Sequence, residues 1–380
     1  MKRRVVYASS TIDENSYTSM LFDNEKTDQQ AQKFSRAILR GFVQNDIDTI
    51  AVSYRKNTEK ISSPVKSDGI EFHYLRCGRG ILKYLRCFAQ SYNLTKKFLT
   101  DYKDGVFVAD GLNVFVSLGG LLGAKKVKAK KIAVITDVPG IYNSGFLAKL
   151  NLFIISQFDE FIFLTEAMND ILNKNRKRYI VLEGIYAPNT TSGKENERLW
   201  GNPNTKKILY AGILDEKYGV KNLIEAMKYL DKNIELFLYG DGDCVELIEK
   251  IQDTDTRIHY YGVCDNSSII DMEKKMDLLV NPRSKKELFT QYSFPSKTIE
   301  YMSTGTPVLM QRLPGMPKEY EQYLYLYEGD SPEQLAKSIR EVLSLNSSIL
   351  EYKGKCAKDF ILSKKNAKNQ MRTICNFIFD

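Results

Sequence analysis

Apolar positions along the 380-residue chain fall into short β-rich runs separated by longer stretches with helical spacing. "RVVYAS" reads as a buried strand, and "DQQAQKFSRAILRGFVQND" as an amphipathic helix with Phe34, Ile38, Leu39 and Phe42 on one side. "DTIAVSY", "GVFVAD", "KIAVITD", "EFIFLT" and "YIVLEG" follow as short buried strands, with helix-length segments between most of them. Such alternation predicts a parallel sheet covered by helices on both faces.

The pattern breaks at "APNTTSGKENERLWGNPNT", Ala187 to Thr205, which is rich in Asn, Thr, Ser, Gly and Pro and carries no apolar periodicity. It reads as a linker or surface loop. A second series then starts: strand "KILYAG", helix "VKNLIEAMKYL", strand "IELFLYG", helix "DCVELIEKI", strand "IHYYG", a helix around "SSIIDMEKKM" and strand "DLLVN". Strand "YLYLYEG" and helix "SPEQLAKSIREVLSL" come later. The expected architecture is α/β, two tandem doubly wound Rossmann-like domains facing across a cleft. The first spans 1–190, the second 191–364, and the amphipathic helix in 365–380 packs back on the first. Ligands in such sheets bind at the carboxyl ends of strands, where loops and helix N-termini converge.

Between the strands "DLLVN" and "PVLM" lies "FPSKTIEYMSTGTPVL", Phe294 to Leu309. Pro295 suits a helix start, Ser296 and Thr298 can bond the orphan amides there, and Ile299 and Met302 mark a buried face. Gly305 followed by Pro307 ends the helix. Its N-terminus supplies free amides and partial positive charge, Lys297 adds a full charge, and Glu300 shares its face. A phosphate held by the amides and Lys297 would set a ribose beside the Glu300 carboxylate. Other candidates stand at the same sheet edge: Lys217 after the first strand of the second domain, Gly212, Gly219, Gly240 and Gly242 for close backbone approach, and Asn281 and Arg283 after "DLLV". Asp137 in "TDVPG" ends a strand of the first domain at the cleft edge, as a polar candidate or a turn-forming residue; Asp110 in "VADGLN" is another N-cap or ligand candidate. As ordinary surface residues, each of these has a bland explanation too.

Composition narrows the class. A hydrophobic fraction of 43% and a charged fraction of 27% describe a globular chain, and no apolar run reaches the ~18 residues of a membrane span. A cytoplasmic location is expected, and "MKRRVVYASS" is not read as a secretory signal. Six scattered cysteines and two histidines, His73 and His259, argue against a zinc site and against Ser–His or Cys–His catalysis. Neither a cofactor nor a metal is expected. The net charge of +8 concentrates in the first half, in "RCGRGILKYLRC", "TKK" and "AKKVKAKK". "GRGILKYLRCFAQSYNLTKKFL" pairs Ile81, Leu82, Leu85 and Phe88 with Lys83, Arg86, Lys96 and Lys97, and "SGFLAKLNLFIISQF" sets Phe146, Leu147, Leu150 and Phe153 near Lys149. Either segment could lie on an anionic membrane surface or be a core helix. Nucleic acid is not an expected partner, since the basic residues form no aromatic-interleaved motif.

Taken together, "GILDEKYGVKNLIEAM", "LYGDGD", "IHYYG" and "FPSKTIEYMSTGTPVL" resemble the nucleotide-sugar domain of GT-B glycosyltransferases, most closely family 4, over roughly Lys207 to Leu343. "ITDVPG" and "FLTEAM" are weaker echoes in the first half. The resemblance implies a hexosyl transfer from a nucleotide-diphosphate donor, UDP-sugars being the commonest, with retained anomeric configuration and without metal. It implies a glycan or lipid-linked glycan acceptor held by the first domain, in surface polysaccharide or glycoconjugate synthesis, with a possible inner-membrane contact. The implied catalytic set is Asp137, Lys217 and Glu300; the donor-binding set is Gly212, Lys217, Gly240, Gly242, Arg283, Tyr292, Ser293, Pro295, Ser296, Lys297 and Glu300. Two positions depart from the family: Ile213 stands where an arginine is usual, with Arg283 as the candidate substitute, and Tyr292 stands where a second glutamate is usual, with Glu287 upstream. These departures keep two alternatives open, a catalytically degenerate GT-B subunit that binds or stabilises a partner transferase and a sugar-nucleotide epimerase.

Overall fold

A computed structural model describes residues 3–22, 29–56, 58–61, 63–80, 82–111, 113–140, 145–187 and 205–380. The linker expected over Ala187 to Thr205 falls almost wholly outside them, as does Ile81. The chain divides into two compact units, Met1–Ala187 with Lys365–Asp380, and Pro188–Lys364.

In the first unit the order is β1 (Arg4–Ser9), α1 (Glu14–Phe22), α2 (Gln29–Val43), β2 (Asp48–Ser53), β3 (Val65–Ser67), β4 (Ile70–Tyr74), α3 (Leu82–Leu99), β5 (Gly105–Asp110), α4 (Val114–Lys126), β6 (Lys130–Ile135), α5 (Phe146–Ser156), β7 (Glu160–Phe163), α6 (Glu166–Leu172) and β8 (Tyr179–Val181). The eight strands lie in the order β3-β4-β2-β1-β5-β6-β7-β8, parallel except for β3. The central strands are buried on both faces, as their unbroken apolar runs require. The β3–β4 hairpin was not expected; it turns on Asp68 and Gly69, both at positive φ (51° and 76°), which is the two-residue turn that matches strand twist.

Helices α3 and α4 pack through small residues. The buried stripe of α3 is Cys87, Ser91, Thr95 and Leu99. A Cβ on Gly119 or Gly123 of α4 would come within 2.3 Å of Phe88 O or 2.6 Å of Tyr92 O. Backbones that close leave no room for larger side chains between them, and the leucines at the start of α3 point away: Leu82 and Leu85 are 53% and 66% exposed.

The second unit runs β9 (Lys206–Ile213), α7 (Val220–Ala226), β10 (Ile234–Asp241), α8 (Val245–Gln252), β11 (Ile258–Tyr260), α9 (Asn266–Glu273), β12 (Leu278–Asn281), α10 (Ser296–Thr304), β13 (Val308–Gln311), β14 (Tyr325–Tyr327), α11 (Pro332–Leu343) and α12 (Ser347–Lys364). Its six parallel strands lie in the order β11-β10-β9-β12-β13-β14. The chain order reverses beside β9, so the carboxyl ends of β9 and β12 flank a switch point of the sheet. The last helix, α13 (Ala367–Phe379), belongs to the first unit and packs on α2, with Met371, Ile374, Cys375 and Ile378 in its core. Where the chain re-enters that unit, Lys365 pairs with Glu183 at 2.5 Å, both buried, and Asn366 caps α13. Among the described residues no helix is long and apolar enough to cross a membrane.

Candidate active site

The carboxyl ends of β9, β10 and β12 and the start of α10 converge within the second unit. Tyr301 of α10 ties two of these elements: its hydroxyl accepts from the Ala211 amide at 2.7 Å and donates to Ala211 O at 3.2 Å, and the ring is fully buried. Asn281, the last residue of β12, donates to Thr298 Oγ1 at 3.0 Å. Its Oδ1 is buried and meets no hydrogen-bond partner, an unspent acceptor close to the helix start. Gly240, opposite Gly212 in the β9–β10 register, sits at φ 132°, and a Cβ there would fall 1.8 Å from Gly212 O. Gly212 and Gly240 thus close the two strand ends tightly; Gly242 follows, its amide donating to Asp241 Oδ1 at 2.9 Å.

The start of α10 differs from expectation in one respect. Pro295 is the N-cap and no side chain caps the helix; the Thr298 hydroxyl, expected to bond the orphan amides, is turned to Asn281 and Met310 instead. A β-branched threonine one turn in, buried against two strands, is claimed by the core before it can serve the helix end. Ser296 is exposed at that end, and Ser293 donates to Phe289 O at 3.0 Å. Tyr292 closes the short 3-10 turn Leu288–Gln291 that Glu287 opens. Gly305, at φ 82°, ends the helix as its position predicts.

Lys297 does not project freely. Its ammonium lies 2.5 Å from Glu300 Oε1 and 3.7 Å from Oε1 of Glu273, a fully buried residue at the end of α9. Burial works against the Lys297 charge, yet Glu300 and then Glu273 outweigh it and raise its pKa. Glu273 carried no signal in the sequence: it stands 27 residues before Glu300, and only the fold brings the two to one lysine.

Arg283 presents the opposite balance. Its guanidinium stacks over the rings of Tyr218 (4.5 Å) and Phe289 (5.5 Å), and burial lowers its pKa, with Tyr210, Tyr218 and Tyr301 offsetting part of the loss. Among the described residues no carboxylate pairs with it. Lys217, in the short turn after β9, is half-exposed; its contact with Asp215 (3.2 Å) raises its pKa and leaves it able to swing. Ile213, where the resemblance leads one to look for an arginine, is 53% exposed, and Tyr210 Oη donates to its carbonyl at 3.0 Å.

Asp137 lies in the first unit just beyond β6, exposed, with Oδ1 accepting from the Val138 amide at 2.8 Å. Asp110 ends β5, and its carbonyl accepts from Ser117 at 2.6 Å.

Two parallel α/β units with convergent strand ends, glycines and cations in the second define a class. The chain has the GT-B fold, and its residues 194–359 match the family model of the glycosyl transferases group 1, which together support a transferase enzyme. None of the curated proteins matches the chain by sequence. Among solved structures it is similar to sucrose-phosphate synthase from Thermosynechococcus elongatus, at 13% identity and a TM-score of 0.68, covering 100% of this chain and 99% of that one. HepE from Anabaena, solved in complex with UDP, gives 13% identity and a TM-score of 0.69 over 99% of both chains. The lipopolysaccharide outer core galactosyltransferase WaaB gives 14% identity and 0.64, again over 99% of both.

Proposed function

We propose that the second domain binds a nucleoside-diphosphate sugar, a UDP-sugar foremost, and that the chain passes the sugar to a glycan or lipid-linked glycan with retained anomeric configuration and without a metal. The observation that carries the reading is Arg283. A partly desolvated guanidinium with aromatic walls and no carboxylate is a cation awaiting an anion, because the dehydration cost is recovered only when one arrives. The diphosphate fits: it would lie between Arg283, the uncapped start of α10 and Lys217, whose weak hold on Asp215 lets it reach over. These same groups would stabilise the charge that builds on the leaving diphosphate as the glycosidic bond breaks. Arg283 thereby takes the place of the arginine missing at Ile213. Glu300, oriented by Lys297, would accept from the ribose hydroxyls, and Gly240 and Gly242 would let the base approach the backbone. HepE, similar in fold throughout, is solved with UDP and with UDP-glucose, which supports the same donor here.

The first domain would hold the acceptor, with Asp137 the carboxylate placed near its hydroxyl. Exposed Leu82, Leu85, Leu147 (63%) and Phe153 (60%), interspersed with Arg86 and Lys149, support a lipid-linked acceptor reached from an anionic membrane surface, as in surface polysaccharide synthesis.

Thermal-shift titration with UDP, GDP, CMP and TDP tests the donor assignment. UDP is expected to raise the Tm of the full chain in proportion to the logarithm of its concentration. Arg283→Met is expected to weaken UDP by roughly 30- to 150-fold, the cost of removing one charged hydrogen-bonding partner of about 2–3 kcal/mol, and Glu300→Ala to weaken it by about 10-fold. No stabilisation by any nucleotide would defeat the reading; binding without turnover on any sugar donor would favour a non-catalytic subunit.

A further inference from the structure

The basic run "AKKVKAKK" is not used by the donor site, and the fold gives it a place of its own. Lys125 lies in the last turn of α4, Lys128 follows in the left-handed region (φ 59°), and Lys130 and Lys131 begin β6. Arg178, just before β8, joins them from a second basic run, "NRKR". With Asp159 and Glu160 these side chains line an open hollow of about 590 Å³ at the amino-terminal edge of the first sheet. Asp137 lies beyond the other end of β6, so the hollow faces away from the acceptor side.

Charge does not balance there. Five cations meet two carboxylates that are already engaged, Lys131 on Asp159 (2.6 Å) and Lys130 and Arg178 on Glu160 Oε1 (3.6 and 2.9 Å), while Glu160 Oε2 is buried without a hydrogen-bond partner. Lys130 also donates to Ile378 O (2.5 Å) and Arg178 to Phe377 O (3.4 Å), so two of the cations clamp the last turn of α13. Three positive groups are therefore held in place in advance, and Lys125 and Lys128, which pair with no carboxylate among the described residues, are free arms at the rim. Lys125 also complements the carbonyl end of α4, but that helix end gives no reason for the other four to share one concavity.

We propose that this hollow binds an anion bearing several phosphate-type charges, either a soluble oligophosphate or a phospholipid headgroup, and that its occupancy tightens the docking of α13. Pre-ordered cations lower the entropy cost of capture, and a ligand charge of about three or more matches the uncompensated excess, whereas one chloride or one phosphate does not.

The full chain is titrated with sodium tripolyphosphate at low ionic strength, against monophosphate at matched ionic strength, and separately sedimented with phosphatidylcholine vesicles with and without phosphatidylinositol 4,5-bisphosphate, whose headgroup carries three or more negative charges. Tripolyphosphate is expected to raise the Tm and slow amide exchange in α13; Lys125→Ala/Lys128→Ala is expected to lose at least 10-fold in affinity while its Tm response to UDP is unchanged. Sedimentation that requires phosphatidylinositol 4,5-bisphosphate, is lost in the double variant and has no tripolyphosphate counterpart assigns the anion to a lipid headgroup; a response to tripolyphosphate alone assigns it to a soluble ligand. No response to either probe, or a double variant that binds like the wild type, overturns the proposal whatever becomes of the donor site, which lies in the other domain.

Discussion

At the scale of single residues the donor site turns on two cations treated in opposite ways. Arg283 is desolvated without a carboxylate, whereas Lys297 is committed to Glu300 and Glu273. Lys297 is better placed to fix the Glu300 carboxylate than to meet phosphate itself. Lys297→Met is accordingly expected to cost about 10-fold in UDP affinity and to erase most of the preference for UDP over 2′-deoxy-UDP, which isothermal titration would read. A merely structural lysine would weaken both nucleotides equally. The raised pKa of Lys297 means its contribution to stability is whole below its unfolded value of about 10.4 and lost only as pH rises through the higher folded value, so its ammonium stays charged across physiological pH. The sequence disclosed the i, i+3 spacing of Lys297 and Glu300, since helix geometry alone sets that contact. It could not disclose Glu273, or the stacking of Tyr218 and Phe289 on Arg283, because those partners arrive from other elements.

At the scale of elements the loop between β12 and α10 must be held if Arg283 and the α10 start are to share one ligand. Asp330, after β14, does part of this: Oδ1 accepts from Ser284 at 2.6 Å, and Oδ2 lies 2.9 Å from Lys286. Burial would raise the Asp330 carboxyl, but the bonds from Ser284, Lys286 and Gln311 outweigh it and hold the pKa at about 2. A depressed carboxyl stabilises the fold above its unfolded pKa of about 3.9 and loses that contribution as pH falls towards 2. Asp330→Asn is expected to lower stability at pH 7 by about 1 kcal/mol, solvent screening included, and the difference from wild type is expected to close between about pH 4 and pH 2 in urea melts. The main strands and the extent of α10 were legible because apolar runs and turn residues report buried strands directly. The uncapped start of α10 was not: Ser296 and Thr298 have capping chemistry, and tertiary contacts with Asn281 and Met310 decided otherwise.

At the scale of the whole molecule the apolar groups that the first unit leaves exposed are concentrated on α3, α4 and α5, where Leu82, Leu85, Leu122, Leu147 and Phe153 stand outward. The α3–α4 contact is built from Cys87, Ser91, Thr95 and glycines, so the core does not require those leucines. Leu85→Glu/Phe153→Glu is expected to abolish sedimentation with phosphatidylglycerol vesicles at low salt while leaving the Tm within about 2 °C, as surface changes do; wild-type protein that stays in the supernatant would end the membrane reading. The sequence displayed both apolar stripes but not which side of each helix is outward: on α3 small residues rather than leucines made the buried contact, and on α5 Ile154 and Ile155 did. The placement of α13 bears on synthesis. A ribosome delivers the amino-terminal domain first, yet Met371, Ile374, Cys375 and Ile378, which complete its core, emerge only after the second domain. The nascent first domain therefore waits, with an apolar groove open along α2, until the entire second domain has been made.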